Sequence, residues 1–93
     1  MIIDTHAHLM FDQFKGEVDQ VIERAKAAGV EKIINVGCDP KSCKQVVDML
    51  SVNDCLYATL GLHPYDAAHA TEAVMGEWEK MIKENERIVA IGE

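Results

Sequence analysis

The chain lacks several features that would point to common classes of protein. Its three cysteines are odd in number and form no Cys-x-x-Cys pair, so free thiols in a reducing compartment are the simplest interpretation. No apolar run approaches the roughly 20 residues needed to cross a bilayer. The N-terminus carries Asp4 where a signal peptide would be apolar. We therefore expect a cytoplasmic protein with no membrane partner.

Positive charge is also scarce. Nine lysines and arginines stand against sixteen aspartates and glutamates, which gives a net charge of −7. Such a surface repels phosphate, which argues against a broad electrostatic footprint on nucleic acid. A nucleic-acid substrate stays open if bound metal and a local basic patch reverse the sign inside a cleft, and the lysines and arginines of this sequence form no such patch.

What is present fits one small soluble domain over residues 1–93. Hydrophobic residues make up 48% of the chain and charged residues 27%, as in globular proteins. Short β-branched segments alternate with amphipathic ones, which predicts βαβ units. The strands are expected at 1–5, 32–36, 56–60 and 87–91, and the helices at about 17–28, 40–50 and 72–84.

About four strands and three helices in strict alternation predict an α/β fold with a parallel sheet, whose strands all end on the same side. A complete (β/α)8 TIM barrel needs eight such units and roughly 250 residues. We therefore interpret the chain as the N-terminal half of a TIM barrel, truncated after the fourth strand. Active sites of α/β proteins lie at the carboxyl ends of the strands. In this sequence polar residues follow every predicted strand: His6, His8, Asp39, His63 and Glu93.

The strongest motif is Asp4-Thr5-His6-Ala7-His8. Residues two apart in an extended segment project to the same side, so His6 and His8 can present two imidazoles to one cation. Neutral imidazole suits Zn²⁺ and other transition metals. Asp4 could orient a ligand from the same side of the strand. The alternative is a pair of surface loop histidines.

The remaining candidates are weaker. Glu93 supplies a carboxylate that could bind the same cation or bridge two, and otherwise is an ordinary charged residue. His63, between Gly61 and Pro64, could bind phosphate, transfer a proton or cap a strand end. Asp39 is expected to cap a helix, and His69 to be a surface residue.

Three blocks of the sequence together resemble the TatD family of metal-dependent deoxyribonucleases, in the amidohydrolase-like TIM-barrel superfamily. They are Ile3-Asp4-Thr5-His6-Ala7-His8-Leu9, Gly61-Leu62-His63-Pro64 and Ile91-Gly92-Glu93. The resemblance implies that His6, His8 and Glu93 are metal ligands. It also implies that His63 is a cleft histidine and that the catalytic residues include Glu93 and His63. The family continues with two more histidine ligands and a late aspartate, which this chain does not contain.

The resemblance implies one or two divalent cations (Zn²⁺, Mn²⁺ or Mg²⁺) and DNA as the substrate of a full-length protein, with phosphodiester hydrolysis as the reaction. Since ligands of the family are missing, we expect the 93-residue chain itself to be inactive. Two alternatives stay open. One is an amidohydrolase-type enzyme acting on C–N bonds. The other is a non-catalytic half-barrel that forms a homo-oligomer through its open sheet edge.

Overall fold

The computed structural model describes residues 2–64, 68 and 70–92 of the chain. Four parallel strands pair in the order β1-β2-β3-β4, so each strand lies beside its neighbour in sequence. The elements are β1 (Ile2–Ala7), α1 (Val18–Ala27), β2 (Val30–Val36), α2 (Pro40–Met49), β3 (Leu56–Leu60), α3 (Glu72–Glu84) and β4 (Ile88–Ile91). A short 3-10 turn, Asp12–Phe14, interrupts the loop after β1.

The predicted alternation of strands and helices is confirmed, with shifts at the ends of some strands. The first strand continues to Ala7, so His6 lies in β1 and not in the loop that we expected. The second strand begins at Val30, two residues earlier than predicted. Parallel pairing of Ile2 with Val30 explains the early start of β2, because the hydrogen-bonded ladder begins with that pair.

Local sequence signals set the helix ends. The Asp39 carboxylate accepts a hydrogen bond from the Ser42 backbone N–H at 2.6 Å, and the Ser42 hydroxyl accepts one from the Asp39 N–H at 3.0 Å. This capping box, with Pro40 in the first turn, starts α2 and confirms that Asp39 caps the helix. Gly29 follows α1 with φ of 99°, a left-handed conformation that glycine adopts without strain.

The core lies between the sheet and one layer of helices. Its members are apolar side chains from three strands and all three helices, with Ile22, Val46, Leu50, Leu56 and Leu60 among the most deeply buried. Trp78 of α3 is buried in the same cluster. Ile82 of the same helix is 37% exposed and lines a groove with Ile91 of the outer strand β4.

The outer strands carry exposed apolar side chains. Ile2 and Ile3 of β1 are 53% and 43% exposed, and Val89 and Ile91 of β4 are 49% and 63% exposed. These residues lie at the two edges of the sheet, where no further strand pairs among the described residues. No helix in the described part of the chain has the length and apolar character needed to span a membrane.

Candidate metal centre

The structure brings the His6 and His8 rings together at the carboxyl end of β1. Their ring centroids are 5.0 Å apart and their planes are inclined by 78°. The His6 residue is exposed and His8 is half-buried, so the pair borders solvent. Because the two imidazoles are close together at the protein surface, both can reach one cation.

The His8 imidazole is oriented by the neighbouring strand. Its Nδ1 lies 2.9 Å from the Val36 carbonyl oxygen at the end of β2. A carbonyl can only accept a hydrogen bond, so Nδ1 donates and neutral His8 keeps a lone pair on Nε2. Metal-binding histidines are commonly held in this way, with one ring nitrogen bonded to a carbonyl and the other directed at the metal. The chemistry of the donor atoms therefore fits a transition metal.

Phe11 covers one face of the His8 ring. The two rings are parallel within 3°, with their centroids 4.6 Å apart. Backbone hydrogen bonds hold Phe11 on both sides: its N–H donates to the His8 carbonyl at 3.1 Å, and its carbonyl accepts from the Phe14 N–H at 2.9 Å. The sequence contained no signal for this contact, because Phe11 reads as one of several apolar residues in a loop.

Buried Asn35 of β2 holds the backbone that follows His8. Its side-chain oxygen accepts a hydrogen bond from the Leu9 N–H at 3.1 Å, across 26 positions of sequence. Asn35 is 1% exposed, and within the described residues its side-chain Nδ2 has no hydrogen-bond partner. Sequence reasoning also missed this residue.

Asp4 holds the backbone of the nearby residue His6. Its Oδ1 accepts a hydrogen bond from the backbone N–H of His6 at 3.0 Å. The bond fixes the backbone at His6 on an exposed edge strand.

His63 is anchored to the same end of the sheet as His8. Its backbone N–H donates to the Cys38 carbonyl at 2.7 Å, and Cys38 lies two residues beyond Val36, the partner of His8. The residue is half-buried. The loops after β1 and β3 thus both attach to the end of β2, which places both histidines on one rim of the sheet.

Glu93 lies outside the described residues, as does His69. Within residues 2–64, 68 and 70–92, no three His, Cys, Asp or Glu side chains lie close enough together to hold a metal ion. The described part therefore supplies a pair of candidate ligands, and zinc sites in enzymes use three protein ligands.

A close approach of two backbone segments and a hydrogen bond from a thiol fix the strand ends around this rim. A Cβ on Gly61 would lie 1.4 Å from the Gly92 carbonyl oxygen, so only glycine fits where β3 meets β4. The Cys43 thiol of α2 donates to the Gly61 carbonyl at 3.3 Å. Burial raises the pKa of the Cys43 thiol to about 11, against a smaller lowering by its hydrogen bond with Gly61. A neutral buried thiol is a structural group and not a nucleophile.

The model of the family described as "TatD related DNase" matches residues 3–93 of this chain. The "Uncharacterized metal-dependent hydrolase YabD" of Bacillus subtilis is 43% identical over 93 residues, which are 100% of this chain and 36% of the relative. The "3'-5' ssDNA/RNA exonuclease TatD" of Edwardsiella piscicida is 31% identical over 93 residues, 99% of this chain and 35% of the relative. The chain thus spans about a third of the length of these curated relatives.

A solved structure matches the fold. The crystal structure of YjjV, a TatD homolog from Escherichia coli K12, has a TM-score of 0.85 and 31% identity, and the match covers 99% of this chain and 36% of that one. The four parallel strands and three helices correspond to part of a TatD-type TIM barrel, as predicted from the sequence.

Proposed function

Because the chain belongs to the TatD-related DNase family, we propose that it supplies the first metal ligands of a nuclease that hydrolyses phosphodiester bonds in DNA. The observation that carries this proposal is the pair of His6 and His8 rings, 5.0 Å apart at the carboxyl end of β1. His8 adds a second argument, because its bond to the Val36 carbonyl leaves Nε2 available for a metal.

Each residue has a proposed task at this site. His6 and His8 bind a divalent cation, and Glu93 completes the ligand set as a third, negatively charged donor. A bound divalent cation polarises a phosphoryl oxygen and lowers the pKa of water. His63 lies on the same rim through its bond to Cys38, and we assign it to contact the substrate phosphate or to transfer a proton.

A metal is also what reconciles an acidic chain with an anionic substrate. The net charge of −7 opposes phosphate, and a dication on two neutral imidazoles is a local positive charge at the point where phosphate has to bind. Relatives carrying the name "3'-5' ssDNA/RNA exonuclease TatD" support single-stranded nucleic acid as the substrate class. The alternative substrate is an amide, because a metal-polarised water attacks C–N bonds by the same device.

A chimera tests the proposal. Residues 1–93 replace the matching segment of the Edwardsiella piscicida exonuclease, whose other two thirds supply the rest of the barrel. We expect this chimera to degrade 3'-labelled single-stranded DNA with Mn²⁺ or Mg²⁺, and to lose that activity on His8→Ala. The isolated 93-residue chain should show little or no cleavage.

The parent exonuclease and circular dichroism of the chimera are the controls for assay and folding. A folded, metal-loaded chimera that hydrolyses amides but not DNA would contradict the nuclease proposal and favour the amidohydrolase alternative. Cleavage that survives His8→Ala would contradict the assignment of the ligand.

A further inference from the structure

Asn35 is an unusual residue for the core, because it is polar and only half of its amide group is hydrogen-bonded among the described residues. It is 1% exposed in the middle of a parallel sheet, and its Nδ2 has no hydrogen-bond partner among the described residues. Burying an amide with an unmet donor lowers stability relative to an apolar side chain of similar size. A leucine would therefore be the expected residue if packing were the only requirement.

The other half of the Asn35 amide is used at the candidate site. Its Oδ1 accepts the Leu9 N–H at 3.1 Å. The carbonyl of the same His8–Leu9 peptide accepts the Phe11 N–H at 3.1 Å. Both polar ends of the peptide that follows His8 are thus satisfied, which fixes the plane of that peptide relative to β2.

The next residue of β2 holds the His8 ring. The Val36 carbonyl accepts from His8 Nδ1 at 2.9 Å. Consecutive residues of one strand therefore bind the backbone just after His8 and the imidazole itself. These two hydrogen bonds to one strand determine both the position of the His8 backbone and the orientation of its imidazole ring.

We propose that Asn35 is a positioning residue for His8: its side-chain oxygen anchors the Leu9 backbone and so holds the His8 imidazole against the Val36 carbonyl. This inference rests on the proposed function, in which His8 is a metal ligand. Groups one step removed from a metal typically change its affinity by about 10- to 100-fold when they are lost.

The main test is Asn35→Leu, which keeps the number and branching of the side-chain heavy atoms and removes the acceptor. The substitution leaves the Leu9 N–H unpaired but also removes an unpartnered NH₂, so its two effects on stability oppose one another. Its effect on metal binding, in contrast, can only be a loss of affinity. We expect the Zn²⁺ affinity of the 93-residue chain to fall roughly tenfold by titration calorimetry.

Asn53→Ala is the matched control. The Asn53 side-chain oxygen also accepts a backbone N–H, that of Cys55 at 3.0 Å, but before the start of β3, at the opposite end of the sheet. Its loss should leave Zn²⁺ affinity unchanged. Wild-type affinity in folded Asn35→Leu, or an equal loss in Asn53→Ala, would overturn the proposal.

NMR of the metal-free protein separates this proposal from the proposed function. We expect long-range ¹H–¹⁵N spectra to show neutral His8 protonated on Nδ1 in the wild type, and mixed tautomers in Asn35→Leu. This result can be obtained even if the wild type binds no Zn²⁺, in which case the proposed function fails by itself. An unchanged tautomer in the variant would overturn the positioning role.

If Asn35→Leu does not fold, Asn35→Ala is the second variant, with the same expectations. Hydrogen exchange of the wild type needs no variant at all. The Leu9 amide should exchange slowly, as a donor bonded to a buried acceptor does. Exchange as fast as that of an exposed loop amide would show that the anchoring bond is not formed, and would overturn the proposal.

Discussion

At the scale of single residues, the candidate site is a set of hydrogen bonds that orient side chains before any ligand binds. His8 has a ring nitrogen on Val36 and an aromatic neighbour, Phe11, stacked on its face. The His6 backbone is fixed by Asp4. Such pre-orientation lowers the entropy cost of gathering ligands around a cation, which is why contacts beyond the ligands affect metal affinity.

Removing the Phe11 ring tests that orientation. We expect Phe11→Ala to weaken Zn²⁺ binding severalfold, because His8 would lose the surface that restricts its rotation. Phe11→Tyr keeps a flat ring and should retain the wild-type affinity. Calorimetric titration of both variants makes the comparison, and equal affinities for Phe11→Ala and the wild type would show that stacking contributes nothing.

Cys43 gives a residue-scale prediction on pH. Burial raises the pKa of its thiol from the usual 9.0 to about 11 in the folded protein, so ionisation is easier in the unfolded chain. The protonated Cys43 thiol therefore makes its full contribution to folding stability below pH 9, and this contribution is lost as the pH rises through about 11. Urea unfolding of the wild type at pH 8 and pH 10.5 should show a larger loss than in Cys43→Ala. Equal losses of stability in the wild type and in Cys43→Ala would contradict a raised pKa for the Cys43 thiol.

The limit of sequence reasoning is also clearest at this scale. The spacing of His6 and His8 predicted two rings on one side of a strand, because alternation is a local property of extended chain. Asn35 reaches Leu9 across 26 positions, and Val36 acts through a backbone carbonyl. Neither contact leaves a local pattern, since both depend on the pairing of β1 with β2. The metal role of His6, His8 and Glu93 stays a prediction.

At the scale of elements, the strands were predictable and their ends less so. The β-branched segments and the Asp39 cap specify elements through local propensity, and the structure confirms them. The extension of β1 to Ala7 depends on pairing with β2, so a polar segment becomes strand against its own composition. That tertiary effect is what brings His6 into the sheet.

Two glycines with opposite surroundings test the packing of elements. A Cβ on Gly61 would collide with the Gly92 carbonyl, whereas one on Gly76 of α3 would meet nothing within 4 Å. We expect Gly61→Ala to cost about 2 kcal/mol or more, because β4 must move. Gly76→Ala should stabilise the chain by about 1 kcal/mol through helix propensity. Thermal unfolding measures both, and a neutral Gly61→Ala would refute the close approach of β3 and β4.

At the scale of the whole molecule, the two outer strands carry exposed apolar residues and pair on one side only among the described residues. An open, apolar edge strand is a template for pairing with another chain. The four-strand architecture and its relation to a TIM barrel followed from the alternation of elements. The partner of each edge did not, because no pattern within residues 1–93 specifies it.

We expect the 93-residue chain to self-associate through these edges as its concentration rises. Val89 on β4 and Val52 after α2 are both 49% exposed, so Val52 is a matched control for a substitution at Val89. Val89→Lys should shift the equilibrium towards monomer because it places a charge on an edge strand, and Val52→Lys should not. Sedimentation velocity over a concentration series measures the effect. A wild type that stays monomeric throughout would contradict the expectation.

Titration of Zn²⁺ into the purified chain measures whether His6 and His8 bind one cation together. We expect His6→Ala and His8→Ala each to remove most of the binding, while His69→Ala, which also removes one histidine, leaves the affinity unchanged. Wild-type affinity in either of the first two variants, or an equal loss in all three, would contradict it.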